Sequence, residues 1–294
     1  MALAQAHEVS SRLIAAHGLP DDAVEIVPMQ TNGDAIADRS LADFGGKGLF
    51  TEEIEAALTG KLIDIAVHSA KDLPTELPGG LAIGAALARE DARDAFLSPK
   101  ANSLIGLPAE AVLGTSSLRR KAMALRVRPD LRVVEFRGNI ATRLRKLDGG
   151  VADATMLAAA GLNRLGLADK ATNILGVDDF VPAVGQGVIA IEARRDDDRV
   201  EELLIPINDA ATSVCLVTER AFLSALDGSC RTPIGGFAEM EGGRIRFRGI
   251  IVTPDGRVAH ETERNGTSDD AEAFGRDAGE ELARRGGPDF FGDL

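Results

Sequence analysis

Residues 112–147, VLGTSSLRRKAMALRVRPDLRVVEFRGNIATRLRKL, read as strand, turn and helix twice in succession. A short apolar strand near Val112 runs into Gly114-Thr115-Ser116-Ser117 and a helix from Leu118. Val133-Val134-Glu135-Phe136 then runs into Arg137-Gly138-Asn139 and a helix to Leu147. Ala154 to Leu157 followed by Ala158 to Leu165 repeats the pattern. Strands separated by helices predict parallel βαβ units. Working towards the N-terminus, Ala2 to His17 is an amphipathic helix stopped by Gly18, and Val24-Glu25-Ile26-Val27 alternates like a strand. A helix from Thr51 to Leu58 follows, then strands at Ile63 to Val67 and Leu81 to Ala86. The charged stretch Arg89 to Asp94 has no apolar period and reads as a hinge between two lobes. Pro182 to Gly187 reads as a second crossover before a strand from Val188 to Glu192. From about Asp209 the order changes to a helix (Ala210 to Leu226), strands at Gly236–Met240, Arg244–Val252 and Arg257–Glu263, and a helix from Asp269. The sequence therefore predicts two βα lobes around a cleft and a small α+β domain.

Bulk properties agree with a globular protein. The 294 residues are 45% apolar and 27% charged, and no apolar run approaches the ~20 residues of a membrane span. The N-terminus has neither the basic nor the apolar region of a secretory signal, so a cytoplasmic location is expected. Two cysteines cannot form a disulfide framework, and four scattered histidines give no zinc spacing. Net charge is −13, which argues against nucleic-acid or anionic-membrane binding in general. The segment Gly114–Leu147 nevertheless carries +8, leaving −21 elsewhere. One strongly basic segment in an acidic protein points to capture of a small polyanion.

Several stretches could carry chemistry. Ser116 and Ser117 can cap the helix from Leu118, whose first turn holds Arg119 and Arg120. Cations there oppose the helix dipole, so a bound carboxylate or phosphate is a reason for their presence. Arg137-Gly138-Asn139 with Arg143 one turn later repeats the arrangement. His68-Ser69-Ala70-Lys71-Asp72-Leu73-Pro74 follows a buried strand, where side chains face the ligand edge of a βα lobe; a surface turn with a local ion pair is the plain alternative. Gly45-Gly46-Lys47-Gly48-Leu49-Phe50 lacks the spacing of a nucleotide phosphate loop, leaving a loop with one anion-seeking lysine. Cys230, beside Arg231 in a Gly-flanked loop, is either structural or an ionisable nucleophile. Cys215 lies on a helical pattern and reads as a small core residue.

Taken together these motifs resemble the porphobilinogen deaminase family, also called hydroxymethylbilane synthases. The matching stretches are Gly45 to Phe50, Asp64 to Pro74 (DIAVHSAKDLP), Arg89 to Phe96, Gly114 to Arg120 (GTSSLRR), Arg137 to Asn139, Ala160 to Gly166, Pro182 to Gly187 and the Cys230 loop, in the family's order. The resemblance implies two periplasmic-binding-protein-like lobes plus the α+β domain, with lobe 1 at 1–88 and 188–206, lobe 2 at 93–181 and the third domain at 209–294. It implies a transferase of tetrapyrrole (haem) biosynthesis that joins four porphobilinogens with loss of ammonia into hydroxymethylbilane. A dipyrromethane cofactor is expected as a thioether on Cys230. Asp72 is the implied catalytic carboxylate, stabilising the cation formed as ammonia leaves. Lys71, Arg119, Arg120, Arg137, Arg143 and Arg164 are implied to pair with acetate and propionate groups. Lys47, Phe50, Ser69, Thr115, Ser116, Ser117, Gly138, Asn139 and Gln186 are implied as secondary contacts. No metal, nucleic acid or membrane is implied; the expected partners are porphobilinogen, the growing oligopyrrole and a uroporphyrinogen-III synthase that takes the product, and the expected state is a monomer.

Two departures from the family carry expectations of their own. Members open with a strand and an Arg-x-Ser element before the Leu-Ala-Leu-x-Gln-Ala-His helix, whereas here Met1 falls inside that helix signature. The expectation is a missing first strand and either a natural start upstream or a chain that is unstable or inactive as written. Asn32 and Asp43 stand where some relatives have basic residues, which weakens the expected polyanion grip of lobe 1. The rival readings are a two-lobed solute-binding protein, which shares the architecture but has no use for Cys230, and a nucleic-acid binder built on Arg119–Lys146.

Overall fold

The computed structural model describes residues 1–30, 51–228 and 232–292. The first sheet has the order β1-β8-β2, formed by β1 (Ile65–Ser69), β8 (Ile189–Arg194) and β2 (Leu81–Ala86). Strand β8 lies between the other two and runs antiparallel to both. The expected parallel units are therefore not the arrangement here. The chain leaves after β2, builds the second sheet, and returns as β8 between the two strands it had left. Helix α1 (Ala2–His17) covers one face with Val9 and Leu13, which join Ile189 and Ile191 in a single apolar core. Its end is closed by Gly18 at φ 61°, a left-handed conformation that glycine adopts without penalty. Helix α2 (Glu52–Thr59) covers the other face, with Leu58 against Ala66 and Leu81. Residues Val24–Val27 do not form the expected strand, since no ladder partner meets them among the described residues and Val27 is 51% exposed.

The second sheet has the order β5-β4-β6-β3-β7. Strand β4 (Val112–Gly114) runs parallel to β5 (Arg132–Val134) and to β6 (Ala154–Ala158), as the repeated strand–turn–helix reading predicts. Helices α3 (Leu118–Val127), α4 (Ile140–Asp148) and α5 (Ala159–Arg164) follow those strands. Strands β3 (Asp94–Leu97) and β7 (Asn173–Ile174) complete the sheet antiparallel. The sequence reading places Asp94 in the hinge. It is instead the first residue of a fully buried strand, too short to show a period.

The third sheet, β11-β10-β9, is antiparallel and comprises β9 (Ile234–Glu241), β10 (Arg244–Val252) and β11 (Ala259–Gly266). Helices α7 (Ala210–Ala225) and α8 (Ala271–Gly286) pack on it around Phe222 and Phe247, whose rings meet at 4.9 Å. The two helices approach closely because Gly275 has no side chain; a Cβ there would lie 2.1 Å from the Thr218 carbonyl oxygen. Helix α6 (Asp198–Leu204), capped by Asp197, packs under the first sheet through Val200 and Leu204.

Two connections join the first and second sheets, and they run side by side. The Leu87 N–H donates to the Ile189 carbonyl and the Glu90 N–H to the Gly187 carbonyl. Gly187 has φ 89°, and a Cβ on it would fall 2.4 Å from the Glu90 oxygen. Glu219 of α7 gathers both connections. Its fully buried carboxylate accepts from Arg89 Nη1 at 2.5 Å, the Gly185 N–H at 2.7 Å and the Ala238 N–H at 2.8 Å. The third sheet is thus tied to the point where the other two connect.

Candidate active site

Strand β1 ends in a single 3₁₀ turn, Ala70–Asp72. The Ala70 N–H donates to the Val188 carbonyl and the Leu73 N–H to the Ala70 carbonyl, which fixes the turn against the second connection. Lys71 is half-buried and Asp72 is exposed to solvent. Protein crowds both groups, and the shifts follow from that. Burial pushes the Asp72 carboxyl above its ordinary range, opposed by the charges of Lys71, then His68, then Arg143. Burial pulls Lys71 down, opposed by Asp72, while Arg120 and Arg119 add to the fall. These couplings link two sheets: Lys71 and Asp72 follow a strand of the first, and Arg119, Arg120 and Arg143 lie on helices of the second.

The second-sheet side is built on capped helices. The Ser117 hydroxyl accepts from the Arg120 N–H, and the Asn139 side chain accepts from the Thr142 N–H at 2.9 Å. Arg119 and Arg120 turn inward and are 4% and 6% exposed. Both grip the fully buried Asp94: Arg119 Nη2 at 2.7 Å from one oxygen, Arg120 Nη2 at 2.7 Å and Nε at 3.0 Å from the other. Arg119 Nη1 also donates to the Val181 carbonyl and Arg120 Nη1 to that of Met156. Burial disfavours the Asp94 charge, but Arg119 and Arg120, with hydrogen bonds from Gln186 and Arg119, pull its pKa far below the carboxylate range. Arg119 Nε is buried with no hydrogen-bond partner among the described residues. Arg143, bonded through Nε to the Gly138 carbonyl at 2.7 Å, is lowered to about 10 by burial and then by Arg120.

The remaining residues singled out in the sequence are placed as follows. Arg137 lies beside Glu135 at 3.3 Å, and its carbonyl accepts from Lys146. Arg164 pairs with Glu8 of α1 at 3.4 Å and donates to the Gly187 carbonyl at 3.0 Å. Ser69 exchanges hydrogen bonds with the buried Gln5 of α1, at 2.8 Å from Gln5 Nε2. Ser116 accepts from the Phe136 N–H, and buried Thr115 accepts from that of Ser117. Gln186 is buried and spends its amide on the Ala92 carbonyl and Asp94. Gly138 has φ 115°, which sets the turn before Asn139. Lys47, Phe50 and Cys230, with Asn32 and Asp43, lie outside the described residues. Cys215 is buried beside Phe222, and burial pushes its thiol up to about 12. Asp94 and Gln5 are contributors that sequence reasoning missed. The signal for Asp94 was the pair of helix-opening arginines that needed an anion. Gln5 gave none beyond lying on the buried face of its helix.

A groove of about 670 Å³ lies elsewhere, between β2, α7 and α8, and none of these cations or Asp72 lines it. Lys71 and Asp72 of the first sheet instead act electrostatically on Arg119, Arg120 and Arg143 of the second. Among the described residues no helix is long and apolar enough to cross a membrane, and no cluster of potential ligands suits a metal ion.

Comparisons with known proteins found the following similarities. A family model described as the dipyrromethane cofactor binding domain of porphobilinogen deaminase matches residues 1–202, and one for its C-terminal domain matches 213–284. The porphobilinogen deaminase of Nitrobacter hamburgensis is 58% identical over 291 residues, covering 99% of this chain and 92% of that protein. That of Nitrobacter winogradskyi is 58% identical over the same shares. Among solved structures, a periplasmic substrate-binding protein of an ABC transporter from Coxiella burnetii has a TM-score of 0.43 at 17% identity, covering 71% of this chain and 89% of its own. The methionine-binding protein MetQ has a TM-score of 0.45 at 15% identity, covering 71% and 87%.

Proposed function

The chain belongs to the porphobilinogen deaminase family, and from that premise we propose which of its residues perform the reaction. The enzyme is a transferase of tetrapyrrole biosynthesis that polymerises four porphobilinogens, with loss of ammonia, into hydroxymethylbilane on a dipyrromethane cofactor. We assign the cofactor thioether to Cys230, since the thiol of Cys215 is buried and kept protonated. We divide the chain into lobe 1 (1–88 with 188–206), lobe 2 (93–181) and a third domain (209–294). The division follows the three sheets.

The residues suit the cofactor's chemistry. Its acid side chains call for fixed cations, and Lys71, Arg119, Arg120, Arg137 and Arg143 are the groups we assign to them, with Arg164 at the rim. The orphaned Arg119 Nε supports this, because a buried donor without an acceptor is costly unless a ligand completes it. The bound cofactor supplies the primer from which the tetrapyrrole is extended. Asp72 supplies the catalysis. Its carboxylate accepts pyrrole N–H groups and stabilises the positive charge that develops on porphobilinogen as ammonia departs. To do so it must be ionised in a site that disfavours charge, and the charges of Lys71, His68 and Arg143 oppose that penalty. The convergence of Lys71 and Asp72 from one sheet with Arg119, Arg120 and Arg143 from the other carries this assignment. Asp94 and Gln186 hold the arginines rather than the substrate.

We place the enzyme in the cytoplasm as a monomer, passing its product to a uroporphyrinogen-III synthase. Asp72→Asn is the direct test. Ammonia release should fall by about 10²–10³-fold with the fold intact. A folded Asp72→Asn enzyme with full turnover contradicts the assignment.

A further inference from the structure

Behind the Lys71–Asp72 turn lies a buried group of ionisable residues that the mechanism above does not use. Strand β1 points His68 and Ala66 to one face of the first sheet, opposite Ala190 and Glu192 of β8. Helices α2 and α7 cover that face, through Leu58 against Ala66 and Leu216 against Ala190. His68 Nε2 lies 3.0 Å from Glu192 Oε2, with the two residues 7% and 0% exposed. Glu192 Oε1 is buried with no hydrogen-bond partner among the described residues. So is Oε1 of Glu55, which α2 directs to the same interior and which is 8% exposed.

Two buried carboxylates facing one interior cannot both stay charged cheaply, and the common resolution is that one keeps a proton. The surroundings decide which. Glu192 has the imidazole of His68 against one oxygen and lies in the field of Arg220 from α7. Burial raises the pKa of Glu55; a hydrogen bond from the Thr51 side chain and the charge of His68 oppose the rise, and the repulsion of Glu192 and Glu52 adds to it, leaving it above the ordinary value. His68 stands near the end of β1, whose following turn carries Asp72, and a charge on it acts on that carboxyl together with those of Lys71 and Arg143.

We propose that His68 is a positioning residue, held as a cation by Glu192 with Glu55 neutral beside it, so that a fixed positive charge in the strand leading into the Asp72 turn keeps that carboxyl ionised. This rests on the reading of Asp72 as the reacting carboxylate. Charge on His68 favours the ionised form of Asp72, so its loss raises the pH needed to ionise Asp72. Glu55→Gln reproduces the neutral form and should leave that requirement in place.

The test is the pH profile of kcat and KM for porphobilinogen in the holoenzyme, with an infrared measurement on the same proteins. His68→Gln and Glu192→Gln should move the acid limb of kcat upward by about one pH unit or more, leaving KM within about two-fold. Glu55→Gln should leave the limb where it is. The wild-type protein should show the C=O stretch of a protonated carboxylic acid at neutral pH, and Glu55→Gln should remove it. An unmoved limb in a folded His68→Gln enzyme overturns the proposal, as does wild-type protein without the protonated-acid band. If His68→Gln fails to fold, the infrared result and Glu192→Gln decide alone. A fully active Asp72→Asn enzyme with the band intact sinks the role given to Asp72, and with it the use assigned to His68, while leaving the shared proton standing.

Discussion

Arg119 and Arg120 occupy the first turn of a helix, where the macrodipole opposes cations, and Asp94 is the anion that holds them there. The sequence argument sought that anion in a ligand and found half of the answer, because an aspartate at the head of a four-residue strand gives no local sign of the two guanidinium groups it meets in three dimensions. Asp94→Asn leaves two buried arginines short of a counter-charge and should cost about 3–5 kcal/mol, read from urea denaturation. The pH dependence has a definite sign. The folded-state pKa of Asp94 is depressed, so its contribution is fully present above the unfolded value of about 3.9 and is lost as pH falls below that towards the folded value. The wild-type urea midpoint should therefore drop more steeply below about pH 4 than that of Asp94→Asn. Parallel curves would contradict the account. The placement of Lys71 and Asp72 just beyond a strand was legible because that strand's apolar run is plain; the contact of Gln5 was not, because its partner Ser69 lies 64 residues along the chain.

The strand–turn–helix units of the second sheet follow from local signals that the chain obeys: Ser117 and Asn139 cap where they fall in sequence, and β4, β5 and β6 pair in parallel. Asn139→Ala removes the cap from α4 and should cost about 1 kcal/mol, measured by thermal or urea unfolding. Because α4 carries Arg143, the same change should raise KM for porphobilinogen more than it lowers kcat. An unchanged KM would separate Arg143 from substrate capture. The first sheet was less legible. Its central strand arrives from far along the chain, and alternation of strands with helices says nothing about which returning strand inserts between two earlier ones. The pattern at Val24–Val27 misled for a related reason: alternation marks a residue string able to pair, and pairing needs a neighbour.

At the scale of the molecule, Arg89 and Gly185 of the two connections meet at the buried carboxylate of Glu219, while Gly187 of the second packs against Glu90 of the first. Gly187→Ala places a methyl group against the Glu90 carbonyl at a backbone angle other residues avoid, and should destabilise the protein by about 1–3 kcal/mol in denaturant unfolding. Stability equal to wild type would show that the connections yield more readily than their packing implies. Within the basic segment between Gly114 and Leu147, Arg119 and Arg120 turn inward on Asp94 while Arg143 acts on Asp72, a difference that charge counting along the sequence cannot show. The central claim is that this cationic cleft builds an acid-bearing pyrrole chain anchored through one sulfur atom. Intact-mass measurement of the wild-type protein and its two cysteine variants tests it most directly. The account predicts an adduct of two pyrrole units on the wild type, kept by Cys215→Ser, lost by Cys230→Ser, and lengthened when porphobilinogen is added. An unmodified wild-type enzyme that still turns over, or an adduct that survives Cys230→Ser, would contradict it.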